Sequence, residues 1–299
     1  MKGIFTFLLL SITLVGWAQT ANDGLMMSDK NLCTGFIFSQ DQWTNYWEGT
    51  LLRANGNIGT LKTQSVAWMG NYGVTGKFNI IAMLPYVSTA ASAGTLKPMQ
   101  GLQDASLSFK YQVLGYKPDS LTSLKIFAVA FGSTPVSDYT PDYLPLSIGL
   151  GAKQIGARLS IFAKRKSWYV VTSAGHTFRG NVTLDRQSYF TDGELYLTNQ
   201  VAMPQVFDWV SGIGRIKNGL ETKVSFTHYR TLGGGDIRRQ DMPFVSNRMN
   251  MSRVEFLTMY YLPKARRLAL RASISRTIAG RNVGESTTVL GGILYTFKF

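Results

Sequence analysis

The sequence predicts an all-β protein, a transmembrane antiparallel β-barrel of about twelve strands. Three observations lead to this fold class. Of the 299 residues, 45% are hydrophobic and only 16% are charged, whereas soluble domains average about 25% charged residues. Apolar and polar residues alternate along many segments, which is the period of a β-strand. The chain also ends on an alternating aromatic segment, which is typical of a barrel strand that faces lipid.

The composition excludes several other classes. With 17 Phe, 14 Tyr and 6 Trp, the chain has too many aromatic residues for a disordered protein. Its 30 glycines disfavour a helical bundle. Cys33 is the single cysteine, so a disulfide scaffold is excluded. One cysteine and two histidines are too few for a cluster of metal ligands, and we expect neither a metal nor another cofactor.

Residues 1–18 have the three-part plan of a secretory signal peptide. Met1-Lys2 supplies a positive start, Ile4 to Val15 is apolar, and Gly16 and Ala18 are the small residues that precede a cleavage site. The apolar run is too short for a transmembrane helix. We therefore expect cleavage near Ala18, export to the outer membrane of a Gram-negative type cell, and a barrel over residues 19–299.

Strand alternation is clearest from Asp104 to Val113. One face carries Leu107, Phe109, Tyr111 and Val113, and the other carries Ser106, Ser108, Lys110 and Gln112. Similar patterns predict twelve strands, at 33–48, 58–71, 76–88, 102–114, 121–134, 149–163, 167–180, 204–215, 219–231, 251–262, 265–279 and 286–299. Twelve is an even number, as in bacterial single-chain barrels. An extra pair of strands around 194–201 would give fourteen.

The connections between these strands alternate between short and long. Short periplasmic turns and long external loops are the known asymmetry of outer-membrane barrels, and this places both termini in the periplasm. At the C-terminus, Ile293, Tyr295, Phe297 and Phe299 share one face. A soluble domain with such an edge would aggregate. We interpret Tyr295, Phe297 and Phe299 as an assembly signal for the barrel-assembly machinery, with outer-membrane lipid and lipopolysaccharide as the later partners.

The first third of the chain carries recurring short motifs. They are Arg53…Gly56…Gly59-Thr60, Tyr72-Gly73-Val74-Thr75, Leu84-Pro85-Tyr86-Val87, Gly101-Leu102-Gln103-Asp104 and Lys110-Tyr111. With them the chain resembles the "MetA-pathway of phenol degradation" family of outer-membrane β-barrel transporters, which is loosely similar to the long-chain fatty-acid transporter barrels. The resemblance implies a transporter barrel. The fatty-acid transporters have a longer N-terminal hatch in the lumen, whereas the segment Gln19 to Lys30 is only about a dozen residues long. We therefore expect no full hatch.

Barrel enzymes need reactive groups that this sequence does not space correctly. A phospholipase-type barrel needs a serine two residues after a histidine, so that the imidazole can activate the hydroxyl. Neither His176 nor His228 has one. A protease-type barrel needs paired Asp residues and an Asp–His couple, yet Asp208 and Asp241 are isolated. We expect no catalytic residues.

The net charge of +14 requires an explanation. Basic residues are scattered without a basic arm, which disfavours nucleic acid as a partner. Six charged residues on three consecutive predicted strands share the inward face, namely Glu221, Lys223, Arg253, Glu255, Arg267 and Arg271, and Lys110 and Arg158 extend this wall. Neighbouring strands are about 4.8 Å apart, so these side chains can reach one another. They form either a structural ion-pair ladder or an anion-favouring constriction.

The long loop from Gly233 to Asn250 contains Asp236, Arg238, Arg239 and Asp241. It is a solvated surface loop, an inward-folded constriction or a binding site for a partner. The predicted function is passage of a small molecule, hydrophobic or anionic, across the outer membrane. The alternative is a non-transport surface protein, an adhesin, receptor or assembly partner, that acts through its long loops. The sequence leaves open the substrate, an open or a plugged lumen, and the oligomeric state.

Overall fold

The computed structural model describes residues 20–21, 23–238, 242–263, 265 and 267–299. These residues form nineteen β-strands joined by turns and loops. Within these ranges there is no helix long and apolar enough to cross a membrane. The predicted signal peptide at 1–18 lies outside the described residues.

Twelve strands build a closed antiparallel barrel. They are β1 (Asn31–Trp43), β4 (Leu61–Thr75), β5 (Phe78–Ala91), β7 (Asp104–Tyr116), β8 (Thr122–Pro135), β9 (Gln154–Arg165), β10 (Trp168–Arg179), β15 (Val206–Lys217), β16 (Leu220–Thr231), β17 (Asn250–Tyr261), β18 (Leu268–Arg281) and β19 (Thr287–Lys298). Each of them pairs with the next in the chain, and β1 also pairs with β19, which closes the sheet. The predicted barrel of twelve strands is confirmed.

The remaining strands are short. They are β2 (Asn45–Glu48), β3 (Leu51–Ala54), β6 (Met99–Leu102), β11 (Val182–Thr183), β12 (Tyr189–Thr191), β13 (Glu194–Tyr196) and β14 (Gln200–Val201). β6 continues the line of β7 and pairs with β5. The sequence allowed a further pair of barrel strands around 194–201. In this region β12 pairs with β13 and β11 pairs with β14, separately from the barrel sheet. These strands belong to a loop, so the barrel has twelve strands.

The alternation seen in the sequence divides the two faces of the wall. On β7, Leu107 is 42% exposed and Tyr111 is 49% exposed on the outside, whereas Lys110 is fully buried inside. The outer face is rich in large apolar side chains such as Phe36, Trp68 and Tyr86. A closed barrel satisfies its backbone hydrogen bonds between strands, so it can present this apolar face to lipid.

The short turns and both chain ends lie at one end of the barrel. The amide of Phe299 donates to the carbonyl of Lys30, which ties the C-terminus to the start of β1. The turn between β15 and β16 is Asn218-Gly219, with φ of 52° and 78°. A two-residue hairpin turn of this type needs positive φ at both positions, and Asn-Gly is its preferred sequence. The long loops lie at the opposite end.

Candidate functional site

The chain before β1 lies inside the barrel. Met27 is fully buried and packs in a cluster with Cys33, Met69 and Met259 of the wall. Leu25 and Met26 pack against a second cluster that contains Phe162. We call residues 20–30, except Asn22, the N-terminal segment. Its apolar side chains fill the lumen at the end that carries the chain termini.

One lysine of the wall holds the N-terminal segment. The Lys110 Nζ lies 3.0 Å from the carbonyl oxygen of Thr20, 2.7 Å from that of Asp23 and 2.8 Å from that of Leu25. It also forms an ion pair with Asp23 Oδ1 at 2.9 Å. The Lys110 side chain is 0% exposed. A buried ammonium needs such partners because its desolvation is otherwise very costly.

The fit between segment and wall is close. A Cβ atom on Gly24 would lie 1.8 Å from Cδ2 of Phe162, and a Cβ atom on Gly73 of the wall would lie 2.1 Å from the carbonyl oxygen of Ser28. Both glycines therefore stand where backbone and wall approach too closely for any side chain. The segment is shorter than a full hatch, as expected, yet it lies within this end of the lumen. Sequence analysis missed this role, for which the apolar Leu25-Met26-Met27 run was the available signal.

Charged groups meet beside the tip of the segment. Glu221 accepts a hydrogen bond of 2.5 Å from the hydroxyl of Tyr169. Lys223 and Arg271 line the same small space together with Thr20 and Asp23. The Nε of Arg271 is buried, and within the described ranges it has no hydrogen-bond partner. The guanidinium of Arg271 thus has an N–H group that donates no hydrogen bond to the described residues around it.

The other predicted lumen residues have partners of their own. Arg158 pairs with Asp208 at 2.5 Å and donates to Ser173, while Arg253 donates to Ser286 at 2.7 Å and lies 3.6 Å from Asp41. Glu255 accepts from Ser225 at 3.3 Å. Arg267 is exposed in the turn before β18, outside the strand. Within the described part of the chain, no salt bridge joins two of the eight predicted wall residues. Their role in selectivity stays a prediction.

A cavity of about 470 Å³ lies between the segment and the long loops. Thr20 and Ala21 of the segment contribute to its lining. The wall supplies apolar side chains, among them Ile37, Ala67, Met69 and Leu290, and the polar side chains of Ser39, Ser65, Ser106, Ser108, Gln103 and Arg271. Its size is in the range of small-molecule sites, about 300–1,000 Å³. The cavity is mostly apolar and carries one guanidinium.

The loop at 232–249 is packed and anchored at the far end. Arg281 donates two hydrogen bonds to Asp236, at 2.7 and 2.5 Å, and Asn282 donates a third at 2.8 Å. These donors lower the pKa of Asp236 to about 2. Arg238 lies over the Phe190 ring, 6.0 Å from its centroid. The predicted loop residues Arg239 and Asp241 lie outside the described residues.

The same loop contributes to a hydrophobic cluster above the barrel. Phe244 and Val245 are buried against Leu184 and Tyr189 of the neighbouring loop. The long loops therefore form an ordered cap with its own apolar core. This cap is a packed structure, unlike the solvated loop that was one of the three interpretations of the sequence.

The fold brings one histidine to a serine. The Nδ1 of His228 lies 3.0 Å from Oγ of Ser252, on the outward face of two adjacent strands. A catalytic pair of this kind also needs a group that orients the imidazole. Among the described residues no further hydrogen bond to His228 is present. The described residues also contain no group of three or more metal-ligating side chains.

Comparisons with known proteins identify the fold. No protein-family model and no curated protein matches the chain. Among solved structures, the COG4313 outer membrane channel from Pseudomonas putida F1 matches with a TM-score of 0.72 and 12% identity, over 94% of this chain and 100% of that one. The NanC porin matches with a TM-score of 0.48 and 8% identity, over 87% and 98%. The translocator domain of the autotransporter NalP from Neisseria meningitidis matches with a TM-score of 0.45 and 10% identity, over 89% and 88%. The first of these likenesses shows that the chain has the fold of an outer-membrane β-barrel.

Proposed function

We propose that the protein is an outer-membrane channel for a small molecule and that the N-terminal segment closes its periplasmic end. The observation that carries the proposal is the segment itself, held inside the lumen by the buried Lys110, with a cavity directly beyond it. A purely structural plug would not need to leave a cavity of ligand size above its tip. The apolar outer face and the barrel fold support a location in the outer membrane.

The proposal includes the route to the membrane. Residues 1–18 would be removed as a signal peptide, and the aromatic C-terminal strand would be recognised by the barrel-assembly machinery. The motifs between Arg53 and Tyr111 support membership of the "MetA-pathway of phenol degradation" family. The COG4313 structure is described as a channel, which agrees with passage through the lumen and with the absence of an enzymatic role.

The test is the conductance of single channels in planar bilayers. We expect low conductance for the wild type and larger steps for Lys110→Met, because the buried ammonium can then no longer hold the carbonyl groups of the segment. Deletion of residues 20–28 should give the same open state. Lys125→Met is the matched control, since Lys125 lies on the neighbouring strand β8 and has no hydrogen bond to the segment among those described. Equal conductance in all four proteins would rule out the segment as the closing element.

The alternative function, a surface protein that acts through its loops, is favoured by the ordered cap. If the protein only formed a channel, its external loops would not need a buried apolar cluster of their own, such as the one that contains Phe244, Val245 and Tyr189. The two functions separate experimentally. A channel shows conducting steps that survive the replacement of residues 237–247 by a Gly-Ser linker. A loop-dependent receptor shows no conducting steps with or without these residues and loses its partner when they are replaced.

A further inference from the structure

The cavity beyond the N-terminal segment combines a long apolar wall with one cationic end. Cross-strand pairing places Arg271 opposite Gly292, Gly292 opposite Ile37, and Ile37 opposite Ala67. Ala67 is in turn opposite Pro85. Because adjacent strands are about 4.8 Å apart, this row runs from a guanidinium to apolar side chains over about 19 Å of wall. A short acyl chain held at the guanidinium covers the part of the row beside Ile37 and Ala67.

Arg271 has unused capacity to bind an anion. Its Nε is buried and has no hydrogen-bond partner among the described residues, and unpaired buried donors are rare because each costs free energy. Two acidic groups line the space beside Arg271, and both have other hydrogen-bond donors, since Asp23 pairs with Lys110 and Glu221 accepts from Tyr169. Around the segment tip, three basic groups (Lys110, Lys223 and Arg271) face two acidic groups (Asp23 and Glu221), which leaves one positive charge in excess.

The rest of the cavity limits what the anion can be. Serine hydroxyls of Ser106 and Ser108 lie on β7, across the lumen from β18, and no hydrogen bond within the described chain uses their side chains. Ile37, Ala67, Met69, Ile81 and Leu290 supply the apolar lining. A strongly hydrated inorganic anion would make no apolar contact with this lining. A neutral hydrocarbon would give Arg271 no hydrogen-bond acceptor.

We propose that the cavity binds a small organic acid with a single carboxylate and an apolar body, the carboxylate on Arg271 and the body along Ile37 and Ala67. This inference rests on the proposed channel function, because the bound acid is then the molecule that the channel passes. A guanidinium gives a carboxylate two parallel hydrogen bonds, which orients the molecule as well as holding it.

The experiment measures equilibrium binding to the refolded mature protein in nanodiscs by isothermal titration, with hexanoate as the probe. Hexanamide and hexylammonium keep the body and change the charge, and acetate keeps the charge without the body. We expect hexanoate to bind about tenfold or more tightly than hexanamide or hexylammonium, as for a buried charge-assisted hydrogen bond. Affinity should rise about three- to fourfold for each methylene from butyrate to hexanoate.

Protein variants locate the site. Arg271→Met should lower hexanoate affinity to that of hexanamide, whereas Arg271→Lys should retain part of the preference for the anion. Arg253→Met is the matched control, because Arg253 also faces the lumen but bonds to Thr277 and Ser286 outside this cavity. The proposal is overturned if hexanoate and hexanamide bind equally to the wild type, a comparison that needs no variant to fold, or if Arg271→Met leaves hexanoate affinity unchanged. The titration reports binding alone, so hexanoate binding combined with equal conductance of all variants in the bilayer experiment would reject the channel and keep the site.

Discussion

The Lys110 ammonium lies 2.9 Å from the carboxylate of Asp23, a residue 87 positions away in the chain. The pair joins the wall of the barrel to the segment inside it. Removal of one partner leaves the other charge buried, which typically costs about 3–5 kcal/mol when the remaining charge is fully enclosed. Lys110 is fully enclosed, so the pair is a point at which a single substitution can release the segment.

Asp23→Ala should release the N-terminal segment from the lumen. Lys110 would keep three carbonyl contacts but lose its counter-charge, and hydration of the ammonium then favours the open state. Leu25→Cys, introduced together with Cys33→Ala, reports the change through maleimide labelling from the periplasmic side. We expect slow labelling of the Leu25→Cys protein and labelling at least about tenfold faster when Asp23→Ala is added. Equally slow labelling of both would show that apolar packing alone retains the segment.

Gly24→Ala should displace the segment by steric overlap. The added Cβ would meet Cδ2 of Phe162 at 1.8 Å, a distance that packed atoms do not reach, and overpacking of this kind typically costs about 1–3 kcal/mol. Conductance should rise as it does on deletion of residues 20–28. The Cβ atom of Phe162 would also lie 2.6 Å from the added Cβ. Phe162→Gly in the same protein removes both the ring and this atom and should therefore restore closure. A double variant that stays open would locate the strain elsewhere.

The anchor of the outer loop should depend on pH at the acidic end of the scale. The pKa of Asp236 is lowered to about 2 by its hydrogen bonds from Arg281 and Asn282, against about 3.9 for an aspartate in an unfolded chain. A lowered pKa means that the contribution to stability is present above about pH 4 and is lost as the pH falls toward 2. The protection of residues 232–238 against hydrogen exchange, taken relative to the intrinsic exchange rate at each pH, should therefore fall between these values.

Asp236→Asn is the control for that pH dependence. The amide cannot ionise, so the loop of this variant should exchange faster than that of the wild type at neutral pH, and its exchange should lack the acid-dependent step. An acid-dependent step of the same size in the variant would assign the titration to another group.

Substitutions of two arginines that the sequence places on one face should have different effects on ion selectivity. Arg271 lines the cavity, whereas Arg267 is exposed in the turn before β18. In a protein opened by deletion of residues 20–28, Arg271→Gln should shift the reversal potential in a salt gradient toward cations, and Arg267→Gln should leave it nearly unchanged. Arg253→Gln should have an intermediate effect, because its charge lies in the lumen beside Asp41. Equal shifts for Arg267 and Arg271 would contradict a selective role for the cavity.

Deletion of Phe299 should impair assembly in the cell without preventing folding in the test tube. Tyr295 and Phe297 point outward with their rings 4.7 Å apart, and Phe299 is 77% exposed, so its side chain adds little to the packing of the finished barrel. We expect several-fold less folded protein in outer-membrane fractions, measured by heat-modifiable migration on gels. Refolding of the purified variant in detergent should be normal. A refolding defect of the same size would make Phe299 a structural residue.

The sequence determined the parts of the structure that follow from local alternation. Twelve strands, the outward and inward faces of β7, and the common end of the two termini were all predicted, because a side-chain period of two is a property of each strand on its own. The same reasoning extended the inward face of β18 to Arg267, where the chain is already a turn. Alternation does not mark the residue at which pairing stops.

Only the tertiary structure decided what fills the lumen. Residues 20–30 have no strand period, and their position depends on contacts with Lys110, Phe162 and Met69 from distant parts of the chain. The partners of the charged wall were likewise decided by barrel closure, which brings Arg158 to Asp208 and leaves Arg271 facing a cavity. Which side of a strand a residue occupies is encoded locally, but which groups meet across a closed barrel depends on register and on the segment enclosed within it.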